Sequence, residues 1–447
     1  MQVNYSIYQP EVGNSDSNQI NAIVKIGLLY PETGFLSFLG QGILEAAVAG
    51  IYRINQSYAF NAVLKIADTR TDSNYVANAT LDLLNEGVEI IIGPESSSNV
   101  VEASLITVSA EIPLISYSGT ADYISEIKDN DYVFRVIGPD SYQVLALGNL
   151  IINQGLNSIL VVNRNDVYGQ GLANRLIHFF QANGVEFFNI SYDANQLSFE
   201  QEVDFIESNP TDGLVIISYP DDGIKIIEEM QNRNITRKIF SPEGLATSQV
   251  INNTNIRDYL NGSLSGTSPG IENADNTLLE QYYEDLNQTN GSPGSYGAFV
   301  YDSVLLAGAG LNDIPFSSGM ELRNSLYKVA NNFKGASSSN KAFNCVGDPI
   351  IQSYEIWEAS NYQMNLIGNI VYNTGGAVKS ICNGDLTINH PSGNDISTVE
   401  FINTSTINTS IIDYSSIFET FVQLVTYSSL GGFSGVLIAI IVKRIQK

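Results

Sequence analysis

Small polar side chains recur directly after short apolar runs of this sequence. Hydroxyl groups follow two of these runs, at Ser96–Ser98 and at Ser118–Thr120. Tyr168, Tyr219 and Glu243 follow three later runs. Hydroxyl groups donate and accept hydrogen bonds, and a carboxylate can hold a cationic group. This combination of residue types favours the non-covalent binding of a small polar solute.

The apolar runs are short and rich in β-branched residues, and longer helical patterns separate them. This alternation predicts βα units around parallel sheets. In such sheets ligands bind beyond the carboxyl ends of the strands, where the polar residues above lie. The runs with their polar ends are Val24–Pro31, Ala62–Thr69, Glu89–Ser98, Ile112–Thr120, Ser158–Gly171, Gly213–Gly223 and Lys238–Gly244.

Catalytic and cofactor motifs find little support in the sequence. The two histidines are His178, within a helical pattern, and His390, in a polar C-terminal region. We find no Ser-His-Asp order, no HExxH motif and no phosphate-binding loop. Gly40-Gln-Gly42 and Gly169-Gln-Gly171 begin like a dinucleotide fingerprint but lack its third glycine. We therefore predict a protein that is not an enzyme and needs no cofactor or metal.

The charge balance excludes one class of partner. Among 447 residues, 47 are acidic and 21 are basic, which gives a formal net charge of −26. Nucleic-acid binding needs a basic patch against the phosphates, and the sequence shows none. The excess acid indicates a well-solvated surface, and a salt-rich habitat would also fit it.

Six segments, taken in order, resemble type I periplasmic solute-binding proteins, close to the leucine/isoleucine/valine-binding proteins of ABC importers. The resemblance runs from about Val24 to about Val371. It implies an α/β fold of two interleaved, doubly wound, Rossmann-like lobes joined by a three-strand hinge. The segments are Glu32–Gly42, IIGPESSS, PLISYSGT, Asp166–Ala173, Ser241–Gly244 and Ala298–Ala307.

The resemblance also implies ligand-binding residues in both lobes. Ser97 and the turn formed by Ser118, Gly119 and Thr120 would hold the carboxylate of an amino acid. Glu243 would bind its ammonium group, and neutral ligands would leave that carboxylate unpaired. For Ser96–Ser98 a helix N-cap is a second interpretation, compatible with the first. For Glu243 the alternative is a solvated loop acid.

Aromatic residues complete the implied site. Tyr168 and Tyr219 would close the second lobe over the ligand, or would simply flank strands as partly exposed rings. Phe38 would line the side-chain pocket, or would pack in the core. Tyr301 and Asp302 occupy a helix that the family places near the cleft.

Two acids, Glu32 and Glu95, depart from the family pattern beside cleft loops. Extra negative charge there favours a cationic or polyamine-like solute, which makes the branched-chain assignment the weakest part of the prediction.

The resemblance and the composition together divide the chain. We predict a disordered N-terminal segment, two interleaved lobes, a Ser/Thr/Asn-rich stalk, a transmembrane helix and a cytoplasmic tail. Their ranges are 1–21 for the disordered segment, 22–138 and 269–345 for lobe 1, 139–268 and the closing hairpin 346–376 for lobe 2, 377–416 for the stalk, 417–442 for the membrane helix and 443–447 for the tail.

The C-terminal region predicts membrane anchoring. Thr420–Val442 carries no charged residue, and a helix of that length spans a bilayer core. Lys443, Arg444 and Lys447 follow and mark the cytoplasmic side, which places the lobes outside the cell. The alternative is a buried helix at the end of the fold.

The two cysteines, Cys345 and Cys382, have no metal-binding or redox spacing. Outside a reducing compartment they can form one disulfide, and two free thiols are the alternative.

The expected function follows from these elements. We predict a membrane-anchored, extracellular solute-binding component of an ABC importer, which delivers an amino acid, with the branched-chain type favoured, to a permease. The alternative is an extracellular ligand-sensing receptor of the same fold that binds amides, polyamines or another small polar solute.

Overall fold

The computed structural model describes residues 22–271, 276–314, 319–373 and 398–402. The predicted disordered segment, membrane helix and cytoplasmic tail lie outside these residues, as does most of the predicted stalk. Within the described part of the chain, no helix is both long enough and apolar enough to cross a bilayer. Cys345 is half-buried and Cys382 lies outside the described residues, so their disulfide stays a prediction.

Lobe 1 is built on a parallel sheet of five strands in the order β2-β1-β3-β4-β5. Its middle strands read as continuous apolar runs because helices cover both faces. The strands are β1 Ile23–Tyr30, β2 Asn61–Asp68, β3 Ile90–Ile92, β4 Leu114–Ser116 and β5 Val133–Arg135. The helices of this lobe are α1 Gly40–Ser57, α2 Ser73–Asn85, α3 Ser97–Ser109, α10 Asn276–Gln288, α11 Gly297–Asp313 and α12 Gly319–Ala330.

Lobe 2 contains the second sheet, in the order β13-β12-β11-β10-β9-β8-β6-β7. The β6 to β10 part is parallel, whereas β11, β12 and β13 add antiparallel pairs. The strands are β6 Ser158–Arg164, β7 Glu186–Tyr192, β8 Gly213–Ile217, β9 Lys238–Ser241, β10 Leu264–Gly270, β11 Ile351–Ser360, β12 Gln363–Asn373 and β13 Thr398–Ile402. The helices are α4 Asp140–Asn153, α5 Val167–Ala182, α6 Glu200–Ser208, α7 Pro220–Asn232, α8 Ser248–Ile251 and α9 Arg257–Leu260.

The chain passes between the lobes three times. It leaves lobe 1 after β5, returns after β10 to form α10, and leaves again between α12 and β11. Helix α11 packs against α1, and a Cβ atom at Gly50 would lie 2.7 Å from Val304. This close helix contact fixes the returning segment in the core of lobe 1.

Strands β11 and β12 form a hairpin on the hinge side of lobe 2. The turn residues Asn361 and Tyr362 have φ angles of 54° and 60°, as in a type I′ turn. Trp357 of β11 is buried against β10, where a Cβ atom at Gly266 would lie 2.7 Å from its ring. Glycine at position 266 is therefore what admits the indole.

One part of the predicted stalk has a regular structure. Thr398–Ile402 pair antiparallel with β12 as strand β13. The outer edge of β12 offers unpaired N–H and C=O groups, which a segment of alternating Val, Glu and Phe can pair with. Five residues of the predicted stalk therefore add a strand to the sheet of lobe 2, and the division of the chain at 377–416 stays a prediction.

Candidate functional site

A cavity of about 280 Å³ lies between the two lobes, at the carboxyl ends of both parallel sheets. Seven of the eight residues predicted to bind ligand line it. Lobe 1 contributes Phe38, Ser97, Ser118 and Thr120, and lobe 2 contributes Tyr168, Tyr219 and Glu243. The strand-to-helix turns of both sheets therefore face one another across one cleft.

The lobe 1 wall is a set of hydroxyl groups at the start of α3. Ser96 is the N-cap, and its Oγ accepts a hydrogen bond from the N–H of Asn99. Ser97 is the first helical residue, and its Oγ accepts from the N–H of Ala121 at 3.1 Å. Ser118 Oγ donates to the carbonyl of Glu95 at 2.7 Å. The predicted capping role and the cavity position thus coexist.

Main-chain donors accompany these hydroxyls. Among the described residues, none accepts a hydrogen bond from the N–H of Ser97 or of Thr120. Free N–H groups at the start of a 13-residue helix attract an anion, because the helix dipole adds to their partial charge. This wall can bind a carboxylate.

Gly119 is the predicted residue that does not line the cavity. Its N–H donates to Ser116 Oγ, and its carbonyl accepts from Arg135. A Cβ atom there would lie 2.8 Å from Val100 and 3.1 Å from Ile124. Glycine at this position serves packing behind the wall, where the sequence suggested an approach to ligand.

The lobe 2 wall is a stack of aromatic rings. Tyr168 and Tyr219 are 5.6 Å apart with an interplanar angle of 11°. The guanidinium of Arg164 lies 3.9 Å from the ring centre of Tyr219 on this stack. Arg164 also pairs with Asp166 and Asp222, which fixes the stack from behind. Tyr168 is only 3% exposed, and its hydroxyl has no hydrogen-bond partner among the described residues.

Glu243 supplies the negative charge on the lobe 2 side. It begins a short 3-10 turn after β9, and its Oε2 accepts a hydrogen bond from Gln143 Nε2 at 2.5 Å. Burial raises the pKa of Glu243, while the hydrogen bond from Gln143 acts in the opposite direction. No described cation pairs with it, so its charge is free for a ligand.

A second buried acid, Asp140, lies nearby at the start of α4. It is fully buried, and neither carboxylate oxygen has a hydrogen-bond partner among the described residues. Burial raises the pKa of Asp140 well above its usual range, and the charges of Asp122 and Glu243 act in the same direction. Asp122 itself pairs with Arg175 of α5 at 2.8 Å, a contact between the two lobes.

The lining residues outside the predicted set include Glu95, Tyr296 and Glu355. Glu95 was noted only as a departure from the family pattern, and it lines the cavity. Tyr296 lies just before α11 with a φ of 63°, and Glu355 comes from β11. Nothing in the local sequence marks Tyr296 or Glu355, because long-range packing brings them to the cavity.

Other candidates have different places. Phe38 lines the cavity and is 41% exposed, which is not the position of a core residue. Tyr301 donates a hydrogen bond to Asp285, away from the cavity. Asp302 accepts from the N–H groups of Ala336 and Ser337 and lies 3.6 Å from Lys341. Both residues support lobe 1 from within.

A periplasmic binding protein family model matches residues 23–357, about three quarters of the chain. The chain belongs to the periplasmic binding protein family. The match extends from β1 into β11, so it includes all eight residues predicted to bind ligand.

Solved structures of this family share the two-lobed fold. The leucine-binding protein LivK of Thermotoga maritima has a TM-score of 0.68 at 21% identity, over 77% of this chain and 97% of that one. LivJ of Streptococcus pneumoniae, a branched-chain amino acid transporter substrate-binding protein in complex with isoleucine, has a TM-score of 0.67 at 18% identity, over 77% and 98%. At these identities the likeness establishes the fold.

Curated relatives match over shorter regions. MJ1266, an uncharacterized protein of Methanocaldococcus jannaschii, is 27% identical over 41% of this chain. Glutamate receptor 2.8 of Arabidopsis thaliana is 28% identical over 40% of this chain. The matched region spans about half of MJ1266 and about a fifth of the receptor.

Proposed function

We propose that this chain is the membrane-anchored, extracellular solute-binding component of an ABC importer. It binds an amino acid between its lobes and delivers it to a permease. The observation that carries the proposal is the pairing of opposite walls in one cavity. Hydroxyl and N–H donors stand on lobe 1, and the Glu243 carboxylate stands on lobe 2.

This arrangement complements an α-amino acid. The solute's carboxylate binds at Ser97 and Thr120, where α3 begins. Its ammonium donates to Glu243, which has an acceptor oxygen and no cationic partner among the described residues. Burying either charge without such partners would cost several kcal/mol, so both walls are needed together.

Binding is coupled to lobe closure. Ligand binds first to the hydroxyl wall, and Tyr168, Tyr219 and Glu243 then cover it from lobe 2. Only contacts that the second lobe adds can favour the closed form, since a ligand shifts an equilibrium by its differential affinity. The hinge allows such a movement without unfolding either lobe.

The similarity to LivK and LivJ supports the importer role and the delivery to a permease. The similarity to the plant glutamate receptor favours a second candidate, an extracellular receptor that senses an amide, a polyamine or another small polar solute. The two differ in transport: an importer component raises uptake of labelled ligand in cells that carry its permease, and a receptor leaves uptake unchanged.

The binding role is tested with Glu243→Gln in the full-length protein. Losing a charge-assisted hydrogen bond weakens binding by about 1.5–3 kcal/mol. We therefore expect amino-acid affinity, measured by isothermal titration calorimetry, to fall about 10- to 150-fold.

The matched control is Glu102→Gln on α3, half-buried and outside the cavity, which should bind as the unmodified protein does. Equal affinity of Glu243→Gln and the unmodified protein would show that Glu243 does not hold the ammonium.

A further inference from the structure

The charge on the cavity wall is one-sided. Glu95, Glu243 and Glu355 line it, and no lysine, arginine or histidine is found among the described lining residues. The arginines behind the walls are already paired, Arg135 with Asp348 and Arg164 with Asp166 and Asp222. Any charge that the described lining side chains carry is therefore negative.

Glu95 is the least expected of these acids. It is 3% exposed and comes directly before the serines of the lobe 1 wall. Its two carboxylate oxygens accept hydrogen bonds from Thr69 Oγ1 at 2.9 and 3.0 Å, and one also accepts from Asn99 Nδ2 at 2.9 Å. Both donors are neutral groups, so they orient the carboxylate and leave its charge unmatched.

Burial dominates the electrostatic surroundings of Glu95 and raises its pKa to about 7. The charge of Asp68 adds to that rise, whereas the hydrogen bonds from Thr69 and Asn99 lower the pKa. The other titratable groups coupled to Glu95 are the phenols of Tyr117 and Tyr219. No cation faces it from the described elements around it.

A metal ion does not fit these carboxylates. In the described part of the chain, no group of three or more His, Cys, Asp or Glu residues is arranged to hold one. The acids are distributed around the cavity, and three tyrosines, Tyr168, Tyr219 and Tyr296, share the wall with them. Separated carboxylates and aromatic faces suit an organic molecule with separated cationic groups.

A neutral amino acid would match only part of this charge. Its ammonium pairs with Glu243 and its carboxylate adds one more negative charge at the hydroxyl wall, so Glu95 stays buried and unpaired. We propose that the solute carries a second cationic group, an ammonium or guanidinium, that binds Glu95 while the α-ammonium binds Glu243. The solute class is then the basic amino acids, and this inference rests on the proposed function.

The test compares matched ligands on the purified full-length protein by titration calorimetry at pH 7. L-Lysine is compared with L-norleucine, which keeps the four side-chain carbons and has a hydrogen atom in place of the ammonium, and L-arginine with L-citrulline. We expect the basic member of each pair to bind at least 30-fold more tightly. Glu95→Gln should reduce that preference below about threefold, and Glu102→Gln should preserve it.

Proton release separates ligand contact from a structural role of Glu95. A cation beside Glu95 lowers its raised pKa, so lysine binding should release more protons than norleucine binding in buffers of different ionisation enthalpy. Glu95→Gln should abolish this difference. The comparison on unmodified protein stands even where the variant folds poorly.

Each result that differs from these expectations contradicts a specific part of the proposal. Norleucine binding as tightly as lysine would overturn the second cationic group and leave the proposed function intact. A lysine preference that persists in Glu95→Gln, or equal proton release by the two ligands, would overturn the assignment to Glu95. Folded protein that binds none of the four ligands would overturn the proposed amino-acid binding, and this inference with it.

Discussion

Two buried charged regions of this protein differ in how their charges are paired. Behind the hydroxyl wall, Arg135 is 1% exposed and lies 2.6 Å from Asp348. Its other nitrogens donate to the carbonyls of Gly119 and Ala121 and to Ser125 Oγ. On the cavity side, Glu95 and Glu243 accept hydrogen bonds from neutral groups alone. The buried charge has an opposite charge beside it in the region that supports the fold. It has only neutral hydrogen-bond partners in the region that lines the cavity.

The largest expected effect comes from breaking the matched region. Arg135→Met leaves Asp348 buried without its cation, and breaking a buried ion pair in this way costs about 3–5 kcal/mol. We expect the free energy of unfolding, from urea denaturation followed by circular dichroism, to fall by that amount.

The control for this change is Arg257→Met, whose side chain is 43% exposed and 3.8 Å from Asp258. A surface pair of this kind contributes at most about 1 kcal/mol. Similar losses in the two variants would contradict the contrast between the regions.

The unmatched region should respond in the opposite direction. Because the pKa of Glu95 is about 7 in the fold and 4.5 ordinarily, the folded state binds its proton more tightly than the unfolded state. Stability is therefore lost as pH rises from about 4.5 to 7. Glu95→Gln does not titrate, so we expect the ligand-free variant to be more stable than the parent by about 3 kcal/mol at pH 8.

Below about pH 4 the two proteins should converge, because Glu95 is then mostly protonated in both states. Urea denaturation at about pH 4 and pH 8 measures both values. A difference that does not change with pH would mean that Glu95 is not a strained buried carboxylate.

The smallest expected effect concerns the contact between the lobes. Arg175 is 37% exposed and pairs with Asp122 across the cleft, so salt screens this pair. We expect Arg175→Gln to weaken ligand binding by less than about 1 kcal/mol and to flatten the dependence of Kd on salt between 50 and 500 mM. An unchanged salt dependence would show that the pair does not contribute to closure.

The sequence was enough to predict most of the fold and the cavity residues that follow strand ends. Apolar runs followed by polar clusters marked the strand ends, which is why Ser97, Thr120, Tyr168, Tyr219 and Glu243 were predicted and were found around one cavity. Alternating patterns and local turns encode such positions directly.

Other features depend on contacts between distant segments. Glu355 reaches the cavity on a strand that joins lobe 2 after the chain's last crossing, and Tyr296 through a left-handed backbone position. Gly119 was assigned to the site by its place in the turn, whereas Val100 and Ile124 determine its role. No local pattern distinguishes these cases.

The indole of Trp357 has a consequence for how this molecule can be observed. It is the single tryptophan beside 24 tyrosines, it is 2% exposed, and its Nε1 has no hydrogen-bond partner among the described residues. It lies on β11, the strand by which the chain leaves lobe 1 for the last time and which also carries Glu355 to the cavity. Fluorescence excited selectively in the indole therefore comes from one place, in the core of lobe 2. The protein therefore has an intrinsic fluorophore two residues along the chain from Glu355 of the cavity wall, so no label has to be attached.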